Sequence, residues 1–185
     1  MNHLATSKED ILAASRDLIK ESGWTAVSIR AVASRCSVSA GTIYNYYESK
    51  ADLLSDTIES IWYEIFFHPE DEQVFHDVES CISWIYERLE YGNRQFPGFF
   101  SLHSFGFMRD EKTSGKKRMM KTWGHILNGL CEVLENDPKV RADVFDQEFT
   151  EKKFADILFS LILVSMIRQD YDPSSVLMLV KKTLY

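Results

Sequence analysis

The feature that most constrains what this chain can fold into is the segment 28–50, whose pattern predicts two short helices joined by a tight turn. Ser28 is a candidate N-cap for the first helix, and the apolar residues that follow recur every three or four positions, as on one face of a helix. Ser39 can cap a second helix over 40–46, in which Ile43 is the apolar anchor. Small residues stand at the start of that second helix, and most of its side chains are left outside a core. A helix-turn-helix that places its second helix in the major groove of DNA needs this arrangement.

A motif without insertions covers the turn, the second helix and the opening of the next helix. Its residues are Ala33, Val38, Ser39, Gly41, Thr42, Ile43, Tyr44, Tyr46, Tyr47, Ser49, Lys50, Leu53 and Leu54. This motif resembles the DNA-binding signature of tetracycline-repressor-like (TetR/AcrR) transcriptional regulators, and it spans the first third of the chain. Two positions depart from the family pattern, since Ser37 replaces the usual turn glycine and Tyr47 the usual phenylalanine. We therefore expect Ser37 to adopt a backbone conformation that residues other than glycine rarely take.

The resemblance implies a two-part, all-α architecture. An N-terminal three-helix DNA-binding domain is placed at residues 1–48, and a helical ligand-binding and dimerisation domain at 49–185. The resemblance also implies contact with DNA through Ser28, Arg30, Ser39, Ala40, Thr42, Tyr44, Asn45, Tyr46 and Lys50. Arg30 is the candidate for a bidentate base contact, and Lys50 for a phosphate contact. Two alternatives stay open at this point: the tyrosines could be packing residues, and Arg30 could be a surface ion-pair partner.

The charge distribution favours DNA contact by a few placed cations over a broad basic surface. The chain has a net charge of −7, but residues 1–50 hold six Lys/Arg against five Asp/Glu, a net of +1. The remaining residues therefore carry −8. An acidic body of this kind argues against non-specific coating of nucleic acid, which depends on many phosphate contacts.

Composition and pattern predict a soluble, cytoplasmic protein. Hydrophobic residues make up 45% of the chain and charged residues 26%, as in ordinary globular domains. The most apolar run, 157–167, is too short for a membrane span, and no signal peptide is evident. The three cysteines, Cys36, Cys81 and Cys131, lack metal-ligand spacing, so we expect buried free thiols in a reducing compartment.

The middle of the chain carries more aromatic residues than an ordinary core requires. One helix is expected to start at the Ser49 cap, and a further helix, marked by apolar residues over 74–89, is expected to end at Gly92. Large rings leave gaps between helices, and such gaps suit apolar or aromatic small molecules. Because the resemblance also implies an effector domain here, we predict a ligand cavity lined by Tyr63, Phe66, Trp84, Phe100, His103, Phe107, Trp123 and Ile126. The alternative is that these rings merely fill the core.

Two C-terminal segments, 154–167 and 174–184, are apolar on almost every side. A small protein cannot cover every face of two such helices, whereas a second copy of the chain can. We therefore predict a homodimer with a four-helix interface, as in the family that the chain resembles, formed by Phe154, Leu158, Leu161, Ile162, Ser165, Val176, Leu177 and Val180. The alternative is that these faces pack wholly inside one subunit.

The predicted function is that of a DNA-binding transcriptional regulator, specifically a ligand-responsive repressor. It would bind a near-palindromic double-stranded DNA operator as a homodimer and respond to a small-molecule effector. The histidines form no metal-binding pattern, and no nucleophile, phosphate-loop or dinucleotide motif is present. We therefore predict no enzymatic activity, cofactor, metal or membrane partner. The alternative is a dimeric all-helical protein with an enzymatic or purely structural role.

Overall fold

Helices account for the regular structure of the described residues, which are 6–66, 75–100 and 114–185 of this computed structural model. The elements are α1 (Lys8–Ser22), a 3₁₀ turn (Trp24–Ala26), α2 (Ile29–Arg35), α3 (Ala40–Tyr44), α4 (Lys50–Phe66), α5 (Val78–Gln95), α6 (Ser114–Asn136), α7 (Glu151–Arg168) and α8 (Ser174–Leu184). The prediction of an all-α fold is confirmed. Within the described ranges, no helix combines the length and the apolar character that crossing a membrane requires.

Contacts divide the chain into two units. The first comprises Met1–His68 together with Gln95–Pro97, and the second comprises Pro69–Arg94 together with Gly98–Tyr185. All of α4 therefore belongs to the first unit, whereas the sequence-based boundary lies at residue 48. That boundary rests on function rather than on contacts, and it stays a prediction.

Helix α1 has a defined start and a defined end. The Ser7 hydroxyl accepts a hydrogen bond from the Asp10 amide at 3.1 Å, and the Asp10 carboxylate accepts one from the Ser7 amide at 2.8 Å. Together these two hydrogen bonds form a capping box. At the other end Gly23, with φ +78°, donates its amide to the Ile19 carbonyl at 2.9 Å. Between these ends, α1 buries Ile11 and Ile19 in the core of the first unit.

Ion pairs join α1 to α4. Lys8 Nζ lies 2.6 Å from a carboxylate oxygen of Asp56. Arg16 Nε lies 3.0 Å from one oxygen of Glu64, and Lys20 Nζ lies 2.6 Å from the other. Because the pairing moves along both helices from their N-terminal to their C-terminal partners, α1 and α4 run in the same direction. The pairs therefore fix the register of α4 on α1.

The turn between α2 and α3 depends on one residue in an unusual conformation. Ser37 has φ +56°, in the left-handed region, as the motif predicts. In this conformation the Ser37 amide donates to the Ser34 carbonyl at 3.1 Å, and the Val38 amide donates to the Ala33 carbonyl at 2.9 Å. Carbonyls in the last turn of α2 are thereby satisfied before the chain enters α3.

Helix α5 runs through Gly92 and ends only at Gln95, so the prediction that it breaks at Gly92 is wrong. A glycine inside a helix costs about 1 kcal/mol relative to alanine. That cost is too small to end a helix whose buried face includes Ile85 and Leu89. The break comes at 96–98 instead, where a proline precedes a glycine with φ +77°.

A buried carboxylate joins three parts of the second unit. Asp137, which is 6% exposed, accepts hydrogen bonds from the Val78 amide at the start of α5 at 2.9 Å and from the Tyr185 hydroxyl at 2.5 Å. The Lys139 amide donates to its other oxygen at 2.9 Å. A buried charge is tolerated here because both of its oxygens are hydrogen-bonded.

The left-handed turn predicts a stabilising substitution. Ser37→Gly should raise the free energy of unfolding by about 0.5–1 kcal/mol, since glycine avoids the steric cost of this conformation but loses more backbone entropy on folding. Urea denaturation followed by circular dichroism measures the change.

The matched control is Ser34→Gly, at an exposed position inside α2. There the same substitution should lower stability, by about 0.5 kcal/mol, because glycine disfavours a helix interior. Equal effects of the two substitutions would contradict the left-handed assignment of Ser37.

Candidate nucleic-acid interface

Two buried side chains hold α3 in the first unit and leave the rest of the helix at the surface. Ile43 is 0% exposed, and Tyr47, just after the helix, is 4% exposed. Between them, Tyr44 and Tyr46 are 55% and 43% exposed, and Asn45 is exposed as well. The two exposed tyrosines therefore do not behave as packing residues of a core. The helix is shorter than predicted and ends at Tyr44, because the following amides form a tighter turn.

The two serines predicted to contact DNA already hold the starts of the motif helices. Ser28 Oγ accepts a hydrogen bond from the Ala31 amide at 3.1 Å. Ser39 Oγ accepts one from the Thr42 amide at 3.2 Å and lies 3.0 Å from Thr42 Oγ1. N-caps of this kind stabilise a helix by about 1 kcal/mol each. Both serines therefore have a structural role, and their contact with DNA stays a prediction.

The cations of the first unit fall into two groups. Its sequence up to residue 68 contains six Lys/Arg, and four of them lie in ion pairs within the unit: Lys8, Arg16, Lys20 and Arg35. The Arg35 guanidinium pairs with Glu21, and its Nη1 lies 2.9 Å from one carboxylate oxygen. The other two cations, Arg30 and Lys50, are exposed and form no ion pair with any described residue. The alternative that Arg30 is a surface ion-pair partner is therefore not supported.

Tyr46 is oriented by the backbone that precedes α1. Its hydroxyl donates a hydrogen bond to the Thr6 carbonyl at 2.5 Å. Thr6 itself is 8% exposed. The bond ties the chain entering α1 to the residue that follows α3, and it limits how Tyr46 can turn towards a phosphate.

Gly41, near the start of α3, has no structural reason to be glycine in this chain. It is exposed, and its φ lies outside the left-handed region. An added Cβ would meet only Ser39 Oγ, at 3.6 Å, which is an ordinary contact distance. The motif includes Gly41, but the predicted contact residues omit it. The sequence signal that could have identified Gly41 as a contact residue is its small size at an exposed position of the second motif helix.

The residues predicted to line a ligand cavity do not form one described group. His103 and Phe107 lie outside the described residues. In the first unit, Tyr63 is 60% exposed, and Phe66 is buried and stacks on Trp62 with ring centroids 5.6 Å apart. The cavity therefore stays a prediction.

The other predicted cavity residues lie in the second unit, among further rings. Buried Phe100 has its ring centroid 6.3 Å from that of Tyr171. Trp123 meets Phe159 edge to face at 5.8 Å, and the remaining two, Trp84 and Ile126, are half-buried. Burial raises the pKa of the Tyr171 hydroxyl to about 12, which keeps it neutral at physiological pH.

The predicted dimer residues divide by exposure. Five of them are at most 7% exposed and so lie in the core of the chain itself: Phe154, Leu158, Ile162, Val176 and Val180. Ser165 Oγ lies 2.8 Å from the Tyr86 hydroxyl, while Leu161 and Leu177 are half-buried. The apolar side chains that α7 and α8 expose are different ones: Ile157, Val164, Ile167, Met178 and Leu179, at 37–58%. They lie on the opposite face of each helix, and the sequence could not separate the two faces because both are apolar.

Within the described ranges, the cysteines and the potential metal ligands form no further functional site. Cys81 is buried, and desolvation raises its pKa to about 12, as in an inert thiol. Cys36 and Cys131 are only half-buried, so the expectation that all three are buried is wrong for these two. No group of three or more His, Cys, Asp or Glu residues within the described segments is arranged to hold a metal ion.

A protein-family model matches the segment that contains α2 and α3. Residues 11–57 match the family model described as bacterial regulatory proteins of the tetR family. The match covers α1 to α3 and the first turns of α4. No curated protein matches the sequence significantly.

Solved structures share the fold over most of the chain. A transcriptional regulator from Rhodococcus sp. Rha1 has a TM-score of 0.65 at 20% identity, covering 91% of this chain and 86% of that one. FadR from Bacillus subtilis, in complex with stearoyl-CoA, has a TM-score of 0.66 at 17% identity, covering 97% and 100%. The reduced form of NemR from E. coli has a TM-score of 0.65 at 18% identity, covering 96% and 97%. At these identities the likeness shows the fold alone.

Proposed function

We propose that this chain, whose residues 11–57 match the model of the tetR family of bacterial regulatory proteins, is a transcriptional regulator that binds specific DNA sequences. The observation that supports this most directly is the distribution of cations in the first unit. Four of its six Lys/Arg are neutralised by ion pairs inside the unit. Arg30, in the first turn of α2, and Lys50, at the start of α4, are exposed and outside those pairs. A DNA-binding surface needs cations that are available to phosphates and base edges in this way.

The outer surface of α3 suits close approach to a DNA groove. Ala40 and Gly41 present little bulk at the start of the helix, and the conformation of the chain does not require glycine there. Thr42 and Asn45 follow with hydrogen-bonding groups, and Tyr44 is more than half exposed. We assign Thr42 and Asn45 to base edges or phosphates and Tyr44 to phosphate.

The remaining predicted contact residues have different roles. Arg30 is the residue for a bidentate base contact, worth about 1–3 kcal/mol of discrimination, and Lys50 is assigned to a phosphate. Ser28 and Ser39 act mainly through the helix starts that they cap. Tyr46 contributes its exposed ring, since its hydroxyl is held by Thr6.

A homodimer would read a near-palindromic operator, and its interface lies on the exposed apolar face of α7 and α8. That face carries Ile157, Val164, Ile167, Met178 and Leu179. Two such helices from each subunit form a four-helix interface, and a two-fold axis requires the same face on both subunits. Two-fold symmetry also places the recognition helices in half-sites about one DNA turn, ~34–36 Å, apart.

A small-molecule effector would control this binding. The aromatic side chains of the second unit provide apolar surface for a ligand. One fold neighbour, FadR from Bacillus subtilis, forms a complex with stearoyl-CoA. The effector would favour one of two dimer conformations by its differential affinity for them, and release of the operator would make this protein a repressor.

The small number of unpaired cations predicts a shallow salt dependence of DNA binding. With Arg30 and Lys50 from each of two subunits, the slope of log Kobs against log salt concentration should be no steeper than about −4, at about −0.9 per neutralised phosphate. Lys50→Ala should reduce this slope by about 1 per subunit and weaken all sequences equally, whereas Arg30→Ala should relax sequence preference. The probe is a duplex selected by the protein from a randomised pool, and fluorescence anisotropy gives Kobs.

Lys8→Ala is the control for that experiment, because Lys8 pairs with Asp56. It should leave the slope unchanged. A wild-type slope of about −8 or steeper would mean that the internal pairs open on DNA, and the proposed distribution of roles would then be wrong.

Gly41→Ala should separate stability from DNA binding. The added methyl group should raise the free energy of unfolding by about 0.5–1 kcal/mol, since alanine favours a helix. The same methyl group should weaken binding to the selected duplex by about tenfold or more, as overpacking a close contact costs about 1–3 kcal/mol. Chemical denaturation and anisotropy measure the two effects.

Gly129→Ala, in α6, is the matched control, because an added Cβ there has nothing within 4 Å. It should stabilise the protein and leave the affinity for DNA unchanged. Unaltered DNA binding by Gly41→Ala would argue against close approach of DNA to α3.

Val164→Lys should convert the dimer into a monomer. Val164 is 45% exposed at the centre of the apolar face of α7, and an unpaired charge buried there costs several kcal/mol. Sedimentation velocity measures the mass in solution. Met120→Lys, at an exposed position of α6, should remain dimeric, and a stable dimer of Val164→Lys would place the interface elsewhere.

A further inference from the structure

The two exposed tyrosines of the first unit differ in the hydrogen bonding of their hydroxyl groups. Tyr46 Oη donates its proton to the Thr6 carbonyl at 2.5 Å. Chemistry fixes the direction of this bond, because a carbonyl oxygen carries no proton and can only accept. Tyr44, which is 55% exposed, forms no hydrogen bond with any residue that the structure describes. The proton of Tyr44 is therefore available to a new partner, whereas that of Tyr46 is already in use.

The bond from Tyr46 to Thr6 is costly to break. Its length lies at the short end of the range for hydroxyl donors. Thr6 is only 8% exposed, so water has little access to its carbonyl if the tyrosine turns away. A buried carbonyl left without a donor costs at least as much as an ordinary hydrogen bond gains. A phosphate that took the proton of Tyr46 would therefore form one hydrogen bond at the expense of another.

The hydroxyl oxygen of Tyr46 can still accept a hydrogen bond. A phenol has lone pairs as well as a proton, and donation to a carbonyl polarises the hydroxyl and makes its oxygen a better acceptor. Tyr46 is 43% exposed, directly after the exposed Asn45 at the end of α3. A direct partner of this oxygen on DNA must be a hydrogen-bond donor, because the bond to Thr6 is kept.

Duplex DNA has few donors of this kind. Phosphate oxygens only accept, and the deoxyribose of an internal nucleotide has no hydroxyl group. In the major groove the donors are the N6 amino group of adenine and the N4 amino group of cytosine. A direct hydrogen bond between the Tyr46 hydroxyl and DNA is therefore a contact with a base. The Tyr44 hydroxyl, by contrast, can donate to a phosphate.

We propose that Tyr46 is a specificity-determining residue, whose hydroxyl oxygen accepts a hydrogen bond from the amino group of an adenine or a cytosine in the operator. This inference rests on the proposed function and adds a base contact to the contribution of the exposed ring. The Thr6 carbonyl has a positioning role, because it holds the phenol in one orientation and leaves only acceptor capacity on its oxygen.

Removal of single amino groups from the DNA tests this assignment. The probe is the duplex that the wild-type protein selects from a randomised pool, and fluorescence anisotropy gives Kobs. One adenine or cytosine at a time is replaced by purine or by 2-pyrimidinone, which lack the exocyclic amino group. One such replacement should weaken binding by the wild type about 2–10-fold more than binding by Tyr46→Phe, as expected for a single hydrogen bond. A general effect of Tyr46→Phe on folding cancels in this ratio, because it weakens binding to every duplex by the same factor.

Neutral methylphosphonates provide the complementary measurement. Replacement of single phosphates should weaken binding by the wild type and by Tyr46→Phe by the same factor at every position. Tyr44→Phe is the matched control, because it removes the hydroxyl whose proton is available. It should show the reverse pattern, with a differential response at one phosphate and at no amino group.

Two results overturn the inference alone. Equal responses of the wild type and Tyr46→Phe to every amino-group removal would leave the Tyr46 hydroxyl a structural role through Thr6. A differential response of Tyr46→Phe at a phosphate would mean that the bond to Thr6 opens on DNA or that water links the hydroxyl to the backbone. Failure of the wild type to select any duplex would instead overturn the proposed function, and this inference with it.

Discussion

The ion pairs that Glu64 makes with Arg16 and Lys20 hold α4 against α1 in the first unit. With the pair between Lys8 and Asp56, they set the register and direction of α4 on α1. They also neutralise cations that would otherwise face solvent. Individual surface pairs contribute little, typically 0–1 kcal/mol, but pairs arranged along one seam act on the same geometry. The same ion pairs between α1 and α4 therefore contribute to the packing of the first unit and reduce the number of cations available at its surface.

Helix α3 is too short to be stable alone. Five residues cannot offset the nucleation cost of an isolated helix. Its form depends on the Ser39 cap at one end, on the buried side chains of Ile43 and Tyr47, and on the left-handed turn at Ser37. Of these, only Ile43 and Tyr47 are buried, and Tyr44 and Asn45 between them stay exposed.

Local features of the fold could be predicted from the sequence, and features that join distant segments could not. The caps at Ser28 and Ser39 need only neighbouring backbone, and the sequence pattern identifies both. The pair between Arg16 and Glu64 joins residues far apart in the chain, so no local pattern reveals it. The predicted helix end at Gly92 was wrong for a related reason. Burial of the α5 face in the folded protein outweighs the weak local preference of glycine against a helix.

The candidate site was predictable to the extent that it follows a sequence motif. The motif located α2 and α3 and their exposed residues, but it could not show that Arg30 and Lys50 differ from the other cations. That difference comes from the positions of Glu21, Asp56 and Glu64 in the folded unit. Which apolar face of α7 is exposed was not predictable for another reason. A helix that is apolar all round has no polar side to mark which face its own core covers.

The scarcity of unpaired cations also has a consequence for how such a protein would search a genome. Non-specific affinity for DNA comes almost entirely from phosphate neutralisation, and it sets how long a protein slides before it dissociates. With only Arg30 and Lys50 outside ion pairs in the described first unit, each visit to a random sequence would be brief. Such a protein would reach its operator mainly by repeated dissociation and rebinding, and fewer copies would be held on the bulk of the chromosome.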